Sequence, residues 1–336
     1  LAAELGLAPA ALADAVPTAH PLLRQRRDEA GGRVVFGGLV DEHSDWVLDQ
    51  HRLKSGEALL PGTGYLDLLA WALAELDGGF VPFRVEGLGF AAPLKLGRGE
   101  QRRIELVIEP QGADAWRVEL SSQGAEADDR QEHLSARIER ISAAGSAPLA
   151  LQQARQPREP RYAHPELRFG PNWQCLQRFE AGVAEAELGL ALHGGAEASH
   201  DPALHPLHPG LFDMAIGAAQ GALAPDGIDA ARLLPFRYGC LEVLAPLPAA
   251  LCSRQQARAE GENLVLQIDL LDAQGDPVLR LRDFVLKPAR ALAAAAPKPR
   301  PRSAVSANRL LEVGYREGFS PAEGVSAICT ALGHAG

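Results

Sequence analysis

Apolar positions along this chain follow two rhythms, and the switches between them mark its elements. In RVVFGGLV (33–40), RRIELVIEP (102–110) and WRVELSSQ (116–123), apolar residues alternate with polar ones, the period of a half-buried strand. NLVLQIDLLD (263–272) and PVLRLRDFVLK (277–287) repeat that pattern and are joined through a glycine-containing turn. Between such strands the period lengthens twice. Pro61, Gly62 and Thr63 break the chain, with Thr63 placed to cap, and Leu66, Leu69, Leu73 and Leu76 then recur at helical spacing. In LHPGLFDMAIGAAQGAL (207–223), Pro209 suits a first helical turn, and Phe212, Ile216, Ala219 and Leu223 form an apolar side.

The punctuation divides the chain into two units of one plan. Each sets a single long helix among antiparallel strands, an α+β arrangement in which a sheet wraps a buried helix. The stretch Ser142–Arg161 is rich in Ala, Pro, Gln and Arg, has no strand period and reads as a linker. The predicted organisation is a leader and first unit over 1–150, a linker over 151–161, a second unit over 162–290, and a further linker with a short helix over 291–336. That last helix is predicted from Ser320, Pro321 and Glu323, a capping box with proline at the first helical position.

Composition narrows the function classes. The 336 residues are 46% hydrophobic and 23% charged, with mean hydropathy −0.08, a globular composition with enough material for two cores. No apolar run reaches the length of a membrane span, and the first twenty residues lack the layout of a signal peptide. The opening Leu1 reads as a piece cut from a longer chain. A net charge of −10 repels phosphate backbones, which removes nucleic acid and anionic membrane as leading partners. Four cysteines without C-x-x-C spacing signal neither a disulfide scaffold nor structural zinc, so a reducing cytoplasm is the expected location.

Two residues carry the chemistry. His51 lies shortly before the first helix, whose N-terminal N–H groups are suited to receive a carbonyl oxygen that gains charge. Asp213 falls in the first turns of the second helix among Leu211, Phe212, Met214 and Ile216, where burying a carboxylate is costly enough to suggest a task. Each also has a plainer reading, a packing histidine before a turn and a helix-dipole aspartate. His193, His200, His205 and His208 lie close in sequence, but no Cys or paired carboxylate completes a ligand set, and no metal is predicted. Arg155, Arg158 and Arg161 fall in the linker and read as solvated.

The surrounding words settle the weighting. HPLL (20–23), DWVLDQHRL (45–53) with LLPGTGYLDL (59–68), RFGPNW (168–173), LHPGLFD (207–213) and LLPFRY (233–238) occur in the order found in dehydratase domains of modular polyketide synthases. The resemblance spans roughly residues 20 to 290. It implies a double hotdog, two fused antiparallel sheets each wrapping one long helix. It also implies elimination of water from a β-hydroxyacyl thioester, giving an α,β-unsaturated intermediate. His51 would take the α-proton, Asp213 would protonate the departing hydroxyl, and a backbone N–H near Gly56 would steady the enolate-like oxygen. On this resemblance no cofactor is required beyond the phosphopantetheine arm of an acyl carrier protein. The implied partners are that carrier protein and adjacent synthase domains, and a homodimer is common in the family.

Three departures accompany it. The family's HxxxGxxxxP is HxxxxGxxxxP here, Gly217 stands where Gln or His helps orient the aspartate, and Phe169 replaces a tyrosine. Gln220 is the nearest substitute for the missing orienting side chain. Phe169, Gly170, Pro171 and Trp173 then read as tunnel wall, and Pro235 in LLPFRY as part of a tunnel strand or of the core. Double-bond isomerisation, epimerisation, ring closure by addition of a distant hydroxyl, and a silent structural domain are the alternatives. Retention of both His51 and Asp213 favours dehydration.

Overall fold

Alternation decides which side of each strand is covered. In Arg102–Pro110, Ile104, Leu106 and Ile108 are buried while Arg103, Glu105 and Val107 stay partly open. The computed structural model describes residues 15–288 apart from 127–128, 143–146, 161–163, 165, 195–199 and 225–232. The helix expected after Ser320 lies outside the described residues.

Fourteen strands make one antiparallel sheet. Seven come from the first half, in the order Val16–Pro17, Gln25–Asp28, Val34–Val40, Arg102–Pro110, Ala115–Gln123, Arg130–Arg140 and Phe83–Phe90. Seven from the second half continue as Leu233–Val243, Pro277–Pro288, Asn263–Leu271, Ala250–Glu260, Glu185–Ala191, Leu176–Ala181 and Gln156–Pro157. The halves join where Val85 pairs with Leu241 and Leu88 with Tyr238. A second sheet of four short strands also crosses between them, in the order Leu167–Phe169, His51–Leu53, Ala58–Leu59 and Lys95–Leu96.

The expected linker is fastened along much of its described length. Gln156–Pro157 pairs with Glu180 and Ala181, and the Arg158 N–H donates to the Phe179 carbonyl at 2.8 Å. Glu185 accepts the N–H groups of Gln152 and Gln153, each at 2.8 Å, and faces Arg155 at 3.7 Å. Arg155 is therefore anchored to a buried carboxylate, contrary to the solvated reading; composition reports no such long-range partner.

Four helices are described. The short α1 (Trp46–Asp49) is capped by Asp45, whose carboxylate accepts from the Val47 N–H at 2.8 Å. The long α2 (Gly62–Asp77) is buried on every side from Thr63 to Leu73, the central helix expected from the sequence. Thr63 does not cap it: Pro61 occupies the cap position, and the Thr63 hydroxyl donates to the Pro209 carbonyl at 3.1 Å.

The second helical segment is two helices, α3 (Pro209–Gly217) and α4 (Gln220–Leu223), instead of one continuous run to Leu223. Ser253 Oγ and Gln255 Nε2 both donate to the Ala215 carbonyl at 2.7 Å. That carbonyl would otherwise receive the Ala219 N–H, so the neighbouring strand ends the helix.

α2 and α3 are held together by a buried polar lock. Asp67 accepts from the Leu207 N–H at 2.9 Å and from His205 Nδ1 at 2.7 Å, while Asp45 lies 3.7 Å from His205 Nε2. Burial opposes charge on His205, but the two carboxylates outweigh it and raise its pKa to about 10. His20, Asp67 and His205 place one ligating atom each within 4.8 Å of one another. His20 Nδ1 already accepts the N–H groups of Leu22 and Leu23, so its proton sits on Nε2 and no lone pair is offered there. The cluster is an ion pair with a neutral histidine beside it. Of the four histidines near position 200, His200 and His208 lie 6.2 Å apart ring to ring, but His200 reaches the Leu247 carbonyl, His208 caps α3, His205 belongs to the ion pair, and His193 is exposed.

Removing Asp67 leaves the His205 cation buried without its main partner. Asp67→Ala is expected to lower the unfolding free energy by about 3–5 kcal/mol in denaturant titration; a loss below about 1 kcal/mol would show that the lock contributes little.

Candidate active site

His51 opens its strand directly after the C-cap of α1, and Arg52 pairs with Ala58 across a tight turn. Gly56 turns the corner at φ 110°, and its N–H donates to the Leu53 carbonyl at 2.9 Å. This hairpin absorbs the extra residue of the HxxxxG spacing. It also engages the Gly56 N–H, the donor expected near the oxyanion, with the Leu53 carbonyl.

The imidazole is 3% exposed. Its Nδ1 lies 2.6 Å from the Leu59 carbonyl, which can only accept, so Nδ1 carries the proton and Nε2 presents a lone pair. Burial lowers the His51 pKa, with the Asp213 charge and the Leu59 carbonyl opposing.

Asp213 projects from α3 one turn after its start. His208 caps that helix, its Nδ1 accepting the Leu211 N–H at 3.2 Å. A methyl group on Gly210 would lie 2.5 Å from the Asn172 carbonyl and 3.2 Å from the Trp173 ring, so only glycine lets α3 approach the turn Pro171–Trp173 this closely. The approach brings the Trp173 Nε1–H within 2.9 Å of Asp213 Oδ2. Burial raises the Asp213 pKa, opposed by His51, the indole hydrogen bond and His164. As a whole residue Asp213 is partly buried while its neighbours on both sides are buried.

The two expected catalytic residues come together through one side chain. The Trp173 ring lies 5.4 Å from the His51 ring, centroid to centroid, while its N–H binds Asp213. Phe169 pairs directly with His51 in the small sheet, its ring 5.5 Å from the imidazole and stacked 6.1 Å from the indole.

Other expected residues have different tasks. Gly170 donates its N–H to the Gln50 carbonyl at 2.8 Å, and a methyl group there would collide with the Gln50 side chain at 2.6 Å, so it serves packing. Pro171 starts the turn that aims Trp173. Gln220, on α4 beyond the break, is not a hydrogen-bond partner of Asp213 among the described residues. Pro235 is exposed on its strand, whereas Leu233 and Tyr238 of that word are buried, the Tyr238 hydroxyl 3.4 Å from where a methyl on Gly62 would be.

Sequence reasoning missed the donor role of Trp173, which it read as wall. It also missed His164, held by the Glu166 N–H on Nδ1 at 3.1 Å and electrostatically coupled to Asp213. Neither role carried a spacing signal, since Trp173 and His164 lie about forty and fifty residues before Asp213 and reach it only in the fold.

Comparison with known families bears on this arrangement directly. Residues 20–123 match the family model for the polyketide synthase dehydratase domain, and residues 142–296 match that for the polyketide synthase dehydratase N-terminal domain. The chain belongs to the polyketide synthase dehydratase family. Solved structures similar to it include the dehydratase domain from the CurH module of the curacin polyketide synthase. That structure is 20% identical with a TM-score of 0.67, covering 81% of this chain and 98% of that one. The dehydratase domain of RzxB from Pseudomonas fluorescens is 22% identical with a TM-score of 0.68, covering 80% and 99%. An inactive Asp-to-Asn mutant of the CurK dehydratase is 19% identical with a TM-score of 0.67, covering 81% and 100%. A search of curated proteins finds no match. The fused sheets described above are the hotdog fold of this family. No helix among the described residues is long and apolar enough to cross a membrane.

With Nδ1 committed to the Leu59 carbonyl and the ring buried, His51 is expected to titrate below the ordinary histidine value of 6.5. A nitrogen-15 titration of labelled imidazoles should show this, with the proton of the neutral form on Nδ1. A midpoint above 6.5, or a proton on Nε2, would contradict the geometry.

Proposed function

We propose that the site eliminates water from a β-hydroxyacyl thioester carried on the phosphopantetheine arm of an acyl carrier protein. One observation supports this above the rest: a buried imidazole with a bare Nε2 and a carboxyl from the opposite half both meet a single indole, the carboxyl at its N–H and the imidazole ring beside it. Burial favours the neutral form of each, so the site holds an unprotonated base and a protonated acid at the same pH.

On this reading His51 Nε2 removes the α-proton, which the thioester makes acidic. The electron pair forms the carbon–carbon double bond as the β-carbon–oxygen bond breaks. Asp213 delivers its proton to the leaving hydroxyl, which departs as water, leaving an imidazolium and a carboxylate; transfer of one proton between them restores the start. The thioester oxygen is served by the first N–H groups of α2, at Gly62 and Thr63, since Pro61 provides no side-chain cap. The reaction as written uses no metal or redox cofactor.

Residues 1–150 and 162–290 would be the two hotdog halves, working in the cytoplasm beside the carrier protein and adjacent synthase domains, with a homodimer as the assembly. One similar structure is an inactive mutant with Asn in place of Asp, the exchange used in the test below.

Incubation with 3-hydroxyacyl carrier proteins of both hydroxyl configurations should give a product lighter by one water on intact-protein mass spectrometry. His51→Ala should abolish the loss, and Asp213→Asn should slow it by about 10²–10⁴-fold. An unchanged mass with every substrate, or wild-type rates in Asp213→Asn, would refute the reading.

A further inference from the structure

The departures from the family pattern leave Asp213 without its usual helper. Gly217 has no side chain to offer, Gln220 lies past the break between α3 and α4, and Phe169 has no hydroxyl. Among the described residues, the side-chain hydrogen bond Asp213 receives comes from the indole N–H of Trp173 at 2.9 Å. Resting on the dehydratase reading, we propose that Trp173 is the positioning residue that orients Asp213, a task moved from the acid's own helix to the opposite wall of the site.

The placement makes the indole a rigid gauge between acid and base. Trp173 is 2% exposed, with its ring edge-on to Trp46 at 5.8 Å and stacked on Phe169. The turn carrying it is pinned by Gln50, whose carbonyl accepts the Gly170 N–H at 2.8 Å and whose Oε1 accepts the Asn172 N–H at 2.9 Å. Gln50 immediately precedes His51. The carboxyl of Asp213 is thereby set against the imidazole through one short chain of contacts: Gln50, the turn, the indole, the carboxyl.

The chemistry of the donor adds a constraint. An indole N–H donates and never accepts, so Oδ2 must be an acceptor and the transferable proton resides on Oδ1. A Gln or His at position 217 would allow either arrangement, because each can donate or accept. The indole ring also lies 5.4 Å from the imidazole, centroid to centroid, tilted by 32°.

The test separates the N–H from the ring. Trp173→Phe keeps an aromatic ring, and replacing Trp173 by the isosteric 3-benzothienylalanine exchanges only N–H for sulfur. Both should lower kcat about tenfold to a hundredfold, the worth of one hydrogen bond to an ionisable group, with KM little changed. Both should also move the alkaline limb of the pH–rate profile upward. The N–H stabilises the carboxylate, so losing it holds the proton on Asp213 to higher pH, and the acid must be protonated to act. Wild-type kcat and an unmoved limb in the benzothienyl variant would overturn the proposal, as would a drop in thermal stability alone.

A second readout does not depend on turnover. The chain has four tryptophans, and in nitrogen-15-labelled protein the indole resonance missing from Trp173→Phe should shift with pH in the wild type and not in Asp213→Asn. If that resonance follows Asp213 while no substrate loses water, the pairing stands and the dehydratase reading falls. If it ignores Asp213, the proposal falls even in an active enzyme.

Discussion

Taking an imidazole and a carboxyl out of water together pushes their proton affinities in opposite directions, and the rest of the site follows from that. Burial discourages a cation on His51 and an anion on Asp213 and so shifts each side chain toward its neutral form, against their mutual attraction. Exposed to solvent, the same two side chains would be arranged the other way at neutral pH, histidine partly charged and aspartate fully ionised. The fold's contribution is to bury both side chains against one indole.

That condition is met by a division of labour between the halves. The first supplies His51 from a strand beside the central helix, and the second supplies Asp213 from the start of α3. Because neither group sits on the other's framework, their relation depends on what crosses the junction. Among the links that do are the strand pairing at Val85 and Leu241, the pairing of Phe169 with His51, the Thr63 hydroxyl on the Pro209 carbonyl, and the Asp67–His205 lock. Two of these, the Phe169–His51 pairing and the Thr63–Pro209 bond, fall at His51 itself or within two residues of a helix start. Small displacements at the junction would be felt at the site before they were felt in the core.

The strands and the two helical regions were legible because they rest on periodicity, and every quoted strand segment is a strand in the structure. His51 and Asp213 stood out because their residue types are costly in such apolar company and because five ordered words surround them. What could not be read depends on partners far away in sequence. α3 ends where Ser253 and Gln255 capture a carbonyl, Arg155 is held by Glu185, and the Gly56 N–H is used by a hairpin that the inserted residue creates. Trp173 was visible as an aromatic residue but not as a donor, since its task appears only when α3 is laid against its turn. A pattern along the chain reports what each residue prefers; it does not report which group arrives opposite.

The claim beneath all of this is that Asp213 carries a proton at neutral pH inside the folded protein. Infrared difference spectroscopy of carbon-13-labelled aspartate, wild type against Asp213→Asn, reads that state directly. The account predicts a protonated carboxyl stretch at neutral pH that is absent from the variant and converts to carboxylate only well above the ordinary aspartate range. A carboxylate band from Asp213 at neutral pH, with no protonated component, would contradict it.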